Sequence, residues 1–242
     1  MKAGAVGVTS AAVGVAVVAT VLAAGPASRE SANSEQIHLS AIQAVGARLQ
    51  TVKPALKPRI VWDPVTYDAR RKKAMAGYAR RHYGIRTWKL KHPRQIVLHY
   101  TAINSYSSIH NFFNDRTGLG PDGTKPESPG NCTHFVISKK GKIYQLAPLS
   151  YMCRATIGLN HVSIGIEFVE LNSASRVLAR PKQLRAGLRL VRWLQSLNGI
   201  KNSDVIGHRI ANQSRFFIDN EGWKNDHIDW DLSQVRKFRT KL

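Results

Sequence analysis

The sequence predicts a mixed α/β domain, a central β-sheet flanked by helices, preceded by a basic and partly helical extension. Three observations carry that expectation. Short β-favouring runs with alternating faces recur at 96–100, 133–146 and 163–169. Stretches with helical spacing lie between and after them, most clearly Pro181–Asn198. The 242 residues are 43% hydrophobic and 21% charged, an ordinary globular balance. That balance excludes disordered basic tails, coiled coils and collagen-like chains, and the single long apolar run excludes a polytopic membrane protein.

That run comes first. Met1 and Lys2 precede an Ala-, Gly-, Val-, Thr-, Ser- and Leu-rich stretch from Ala3 to Ala24, with no further charge until Arg29. A basic start, an apolar stretch and a small-residue segment ending Gly25-x-Ala27 read as a signal peptide over 1–27, with Ser28 the first mature residue. The competing expectation is an uncleaved anchor helix, for which the stretch is long enough. Residues 28–93 form the extension. Ile42, Val45 and Leu49 have helical spacing, Pro54 and Pro58 break it, and Tyr67–His82 carries six Lys/Arg in a helix-favouring context. That run suits either a solvated helix face or a polyanion contact.

From Arg94 the texture becomes that of a second unit, 94–242. Ile96–Tyr100 (IVLHY) is a strand, 105–114 a short helix, and 115–131 a Gly/Pro-rich loop. HFVIS, KKGK and IYQL make a hairpin over 133–146, and SIGIEFV another strand over 163–169. In Pro181–Asn198, Leu184, Leu188, Val191 and Leu194 form one stripe that ends near Gly199. A short apolar strand leads through Gly207 to His208, and Asp231 with Gln234 makes a capping-box start for a last helix through Leu242.

Lys and Arg total 36 and Asp and Glu 15, a formal charge of +21. Such a chain is drawn to polyanions: nucleic acid, anionic lipid or anionic wall polymers. Tyr67, Tyr78 and Tyr83 beside the basic run are compatible with nucleic acid, but no nucleic-acid motif is present, so none is expected as partner. Export makes Cys132 and Cys153 candidates for a disulfide, against the alternative of two independent buried thiols. Closing that loop contributes ~3 kcal/mol in the chain-entropy model.

Among the nine histidines, His38, His82, His92 and His110 lie where surface or internally satisfied rings are the default. His99 ends a strand on the face of Val97, opposite Leu98 and Tyr100. His208 follows a short strand, and the segment from Trp223 to His227 gathers a lysine, a carboxylate and an imidazole. Two histidines and one carboxylate with an open fourth position suit a catalytic zinc and not calcium. Glu167 shares the small-residue face of its strand with Ser163 and Gly165, so it is either a buried ion pair or a cleft base.

The series IVLHYTA (96–102), CTHFVISKKGKIYQLAPL (132–149), GLNHVSIGIEFVE (158–170), IGHRIA (206–211) and KNDHIDW (224–230) resembles the zinc-dependent N-acetylmuramoyl-L-alanine amidases. That family includes phage lysozyme-type amidases and peptidoglycan recognition proteins. The resemblance covers 94–242 in the expected order, and 59–84 with the cysteine pair is similar to secreted actinobacterial-type members. It implies their sheet-and-helix fold, one Zn2+, and hydrolysis of the amide between N-acetylmuramic acid and L-alanine. By motif, the ligands are His99, His208 and Asp226, with His227 the alternative third ligand. Glu167 is implied as general base and Lys224 as the cation over the oxyanion; Thr101, His134 and Asn160 are implied substrate contacts.

Three departures stand out. The 18 residues from His208 to Asp226 exceed the compact pattern, which makes 212–222 an insertion, and Arg154-Ala155 stands where many members have His. Thr133 stands where phage-type members carry Tyr, which leaves the base role to Glu167. The expected partners are peptidoglycan and, through the basic surface, anionic wall polymers, for a monomeric protein secreted to the wall. The competing functions are a non-catalytic peptidoglycan-binding module and a secreted polyanion-binding protein.

Overall fold

The computed structural model describes residues 55–115 and 127–242. Contacts divide the chain into units Met1–Val52 and Lys53–Leu242. The expected signal peptide, its anchor alternative and the 42–49 helix lie outside the described residues. No helix among the described residues is long and apolar enough to cross a membrane.

Among the described residues, six strands form one sheet: β1 (Ile60–Trp62), β2 (Gln95–Tyr100), β3 (Phe135–Ile137), β4 (Ile143–Gln145), β5 (Ser163–Phe168) and β6 (Val205–Gly207). Their spatial order is β1-β4-β3-β5-β2-β6, and every pairing is parallel except the β3–β4 hairpin. Among the described residues, five α-helices flank it: α1 (Ala69–Tyr83), α2 (Tyr106–Asn114), α3 (Ala174–Ala179), α4 (Pro181–Asn198) and α5 (Leu232–Arg239). The mixed α/β class expected from the sequence is the fold observed.

The expected boundary at 93–94 does not hold. β1 pairs in parallel with β4, and α1 buries Met75, Tyr78, Ala79 and Tyr83 in the main core, so residues 60–83 belong to the same folded unit. The basic run hid this, because Lys and Arg dominate its composition while the buried stripe occupies only one side of the helix. α1 starts at Asp68, whose side chain accepts from Arg71 N–H, and stops at Gly84 in the left-handed region (φ 71°). Arg71 is itself buried, donating to the carbonyls of Thr66, Phe113, Gly130 and Asn131.

β2 and β5 are buried on both faces. β2 carries the apolar run Ile96–Leu98, as a strand covered on both faces does, while β5 alternates Ile164, Ile166 and Phe168 with Ser163, Gly165 and Glu167. Ile96, Leu98, Ile164, Ile166 and Phe168 face the core shared with α4 and α5. Gly187 lets α4 lie on the Phe168 ring, since a Cβ there would come within 2.7 Å of it. α5 begins with both halves of the expected capping box, Asp231 and Gln234. Cys132 and Cys153 form a disulfide, with Cα atoms 4.9 Å apart.

Alternation along the two central strands then turns the other set of side chains to the opposite face. Val97 and His99 of β2 stand beside Gly165 and Glu167 of β5, their register partners. His99 and Glu167 lie near the carboxyl ends of their strands, and His208 directly follows β6. The chemistry-bearing residues thus gather at the carboxyl edge of three adjacent parallel strands, where such sheets open a crevice.

Candidate active site

That crevice is a cleft of about 450 Å3. Its walls include His99, Thr101, Glu127, Arg154, Glu167, His208, Trp223, His227 and Asp229. At its floor, His99 Nδ1 and His208 Nδ1 are 3.0 Å apart. Asp229 Oδ1 is 3.0 Å from His208 Nδ1, and Asp229 Oδ2 is 3.5 Å from His99 Nδ1. All three residues are buried, and among the described residues theirs is the one group of three or more that could hold a metal ion.

Asp229, not Asp226, completes this trio, and the reason is local. Asn225 is buried; its amide donates to the His208 carbonyl (2.8 Å) and its backbone is clamped in both directions by Asn212. Anchoring Asn225 inward turns Asp226 and His227 out to solvent, and the chain returns only at Asp229. There Asp229 O accepts from Arg209 N–H (2.8 Å), and Trp230, fully buried at φ 56°, lies against β6. Gly207 makes that approach possible: a Cβ on it would sit 1.8 Å from the Trp230 carbonyl oxygen. His227 is not the third group either. Its ring stacks on His208 at 4.2 Å, its side chain is 59% exposed, and its Nδ1 stands 3.9 Å from Asp229 Oδ1.

The protonation equilibria mark the floor as a place for positive charge. Burial works to raise the Asp229 carboxyl, but the adjoining His208 and His99 rings outweigh it and hold the group far below the carboxylate range. Burial, then the adjacent His99, hold the His208 imidazole down to about 3. Burial opposes protonation of His99 as well, yet Asp229 and Glu167 outweigh it and raise that ring. Burial pushes the Glu167 carboxyl up to about 7, with His99 pulling against the rise and Asp229 adding to it. Glu167 Oε2 and Asp229 Oδ2 are buried without a hydrogen-bond partner, a costly arrangement unless something else engages them.

A zinc-sized cation fits this set. Tetrahedral N/O coordination at about 2.0–2.1 Å separates ligand atoms by roughly 3.3 Å, and the nitrogens and carboxylate here already stand 3.0 Å apart. His99 Nε2 lies 3.2 Å from Thr156 Oγ1. The tautomer that donates there presents a lone pair at Nδ1, as a ligand needs.

The other expected site residues divide. Glu167 and Thr101 line the cleft, although the Thr101 hydroxyl is used internally, donating to Ile103 O and accepting from Glu170 N–H. Lys224 is exposed and outside the cleft; the cation on the wall is Arg154, whose Nε donates to Pro129 O. His134 is fully buried between strands: its Nδ1 accepts from Gly165 N–H and its Nε2 meets Tyr151 O, so it does not reach substrate. Asn160 is also buried, and its oxygen accepts from the N–H groups of Ala155 and Thr156 while its amide donates to Tyr83 Oη. It shapes the loop that carries Thr156 to His99. His82, read from the sequence as a surface or internally satisfied ring, is the latter: it pairs with Asp219 at 2.8 Å and packs edge-on against Trp223, fixing one cleft wall to α1.

Residues 89–226 match the family model described as N-acetylmuramoyl-L-alanine amidase (Amidase_2), more than half of the chain. The chain belongs to this amidase family. Asp229 lies three residues beyond the matched segment. Among solved structures, the chain is similar to the endolysin amidase LysCS from Clostridium intestinale URNW (19% identity, 75% of this chain and 95% of that one, TM-score 0.46). It is also similar to AmpD (14% identity, 78% and 99%, TM-score 0.47). A third is AmiD from E. coli, in complex with anhydro-N-acetylmuramic acid-L-Ala-D-γ-Glu-L-Lys (21% identity, 49% of each chain, TM-score 0.38). Comparison with curated proteins returns no match.

Because Gly207 holds the Asp229 segment in place, Gly207→Ala is expected to lower amidase activity by about 10²-fold, the cost of misplacing a reacting geometry by ~1 Å. Kinetic assays alongside circular dichroism check this; full activity in a folded variant contradicts the role given to Gly207.

Proposed function

We propose that this amidase hydrolyses the amide between the N-acetylmuramic acid lactyl group and L-alanine in peptidoglycan, with one zinc ion held by His99, His208 and Asp229. The observation that carries the reading is the buried His-His-Asp floor beside a buried, unpartnered Glu167 in an open cleft. Zinc would supply Lewis-acid activation of water near neutral pH and stabilisation of developing negative charge.

The chain's own residues do the rest. Glu167, facing the cleft beside His99, takes the proton of the attacking water on a carboxylate oxygen and returns it to the leaving alanine nitrogen. A carboxyl titrating near 7 is matched to both halves of that transfer. Thr156 holds the His99 ring, and Asn225 holds the backbone of His208. Arg154 offers the cleft a cation for the carboxylates of a stem peptide, whereas Lys224, expected as the cation over the oxyanion, does not line the cleft. A binding module has no use for an ionisable group buried without a partner, so Glu167 favours catalysis over binding alone. The disulfide and the apolar 3–24 run support secretion to an oxidising, wall-proximal compartment.

Digestion of purified peptidoglycan tests the reading. New N-terminal alanine and intact muramyl ends, abolished by a chelator and restored by zinc, are expected. Cleavage of glycan or peptide–peptide bonds, or release insensitive to chelation, contradicts it.

A further inference from the structure

The charge of the chain is segregated. Between Leu171 and Ser203 the sequence has seven Lys/Arg and no Asp/Glu. On α4, Lys182, Arg185, Arg189 and Arg192 are exposed on one stripe, opposite the buried Ala186, Leu190 and Leu194. From Lys182 to Arg192 the stripe runs ten rises, about 15 Å of helix. Since α4 packs on Phe168, and Glu167 points the other way, this stripe lies across the sheet from the cleft.

The stripe continues into a cavity of about 360 Å3 lined by Arg59, Val61, Gly141, Lys142, Ile143 and Arg189. Three cations from three separate elements meet there, with no carboxylate in the lining. None of the three has an acidic partner among the described residues. Their convergence is built in. Gly141, at φ 80°, seats the β3–β4 turn on the start of α4, where a Cβ would come within 2.5 Å of the Lys182 carbonyl oxygen. Half of the basic run of α1 is engaged elsewhere: Arg71 is buried among carbonyls, Arg81 pairs with Glu127 and Glu221, and Lys72 lies over Trp88 and Tyr151, while Arg70, Lys73 and Arg80 are exposed.

We propose that the Arg59–Lys142–Arg189 cavity and the α4 stripe bind a phosphodiester-bearing wall glycopolymer, holding the enzyme on the wall by its back while the cleft faces peptidoglycan. Two arginines and a lysine around one cavity suit a phosphate, which accepts bidentate guanidinium contacts. A row of cations one to two helical turns apart suits a flexible chain with one charge per repeat. The lining has no aromatic side chain, so the stacking platform that single-stranded nucleic acid uses is missing there. The choice of a wall polymer rests on the peptidoglycan reading above.

The test uses the full chain, with purified poly(glycerol phosphate) teichoic acid as probe, titrated from low to physiological salt. Arg59→Gln/Lys142→Gln/Arg189→Gln is compared with Arg70→Gln/Lys73→Gln/Arg80→Gln on α1, which removes the same charge. The first is expected to weaken binding roughly tenfold or more and to flatten the dependence of log Kd on log salt by about two charges; the second changes Kd less than about threefold. A Lys182→Gln/Arg185→Gln variant is expected to give an intermediate loss. Equal weakening by both triple variants overturns the proposal, as does single-stranded DNA binding as tightly and losing as much. Cleavage of a soluble muropeptide is expected to be unchanged in all variants. Its absence in the wild type counts against the peptidoglycan reading, while the comparison of triple variants still decides where a polyanion binds.

Discussion

Asp229→Asn is expected to lower peptidoglycan hydrolysis by at least about 10³-fold, whereas Asp226→Asn leaves it within about twofold of wild type. The two carboxylates are three residues apart, and a motif reading of K-x-D favours the one the structure leaves exposed. Asp229 is buried and meets both imidazole nitrogens at 3.0 and 3.5 Å; Asp226 is exposed. Removing the Asp229 charge leaves two buried imidazoles without their counter-charge and takes away the one carboxylate of the floor. An effect of that size follows from losing a metal ligand whose ion provides several kcal/mol of charge stabilisation in the transition state. Steady-state assays on solubilised peptidoglycan, with melts to confirm folding, check both variants. The opposite ranking would return the ligand role to Asp226.

Glu167→Gln is the second large effect: kcat falls by about 10²- to 10⁴-fold with folding and metal content retained, the range for losing a positioned general base. The same substitution has a signature in stability. In the metal-free protein burial raises the Glu167 carboxyl from 4.5 to about 7. The folded state therefore binds this proton more tightly than the unfolded chain. Folding takes up a proton between those two values, so stability falls as pH rises from about 4.5 to about 7 and stays reduced above it. Gln has nothing to ionise. Chelated Glu167→Gln protein should thus gain in melting temperature relative to chelated wild type across that window and keep the gain at pH 8. A variant that loses activity and also melts lower at pH 8 contradicts the picture of a buried, unpaired base.

The parts of the site that rest on regular strands were legible in the sequence. Alternation along Gln95–Tyr100 and Ser163–Phe168 puts His99 and Glu167 on one face, and their register pairing brings them side by side. His208 was legible for the same reason, since it ends a short apolar strand. Asp229 was not, because the path from Ser214 to Ile228 is irregular and its course is set by Asn212 and Asn225, which leave no periodicity to read. His134 and Asn160 were visible as family positions, but each also has a distant partner, 31 and 77 residues away, so their structural roles appear only in the fold. The extension was misdivided because β1 has three residues and α1 conceals its buried stripe among arginines and lysines.

The central claim is that His99, His208 and Asp229 hold one zinc ion at the floor of the cleft. Diffraction from zinc-loaded crystals, collected on both sides of the zinc absorption edge, tests it most directly. The account predicts one strong anomalous peak about 2.0–2.2 Å from His99 Nδ1, His208 Nδ1 and an Asp229 carboxylate oxygen. A peak coordinated by Asp226 or His227 in place of Asp229, or none at the two histidines, would contradict it.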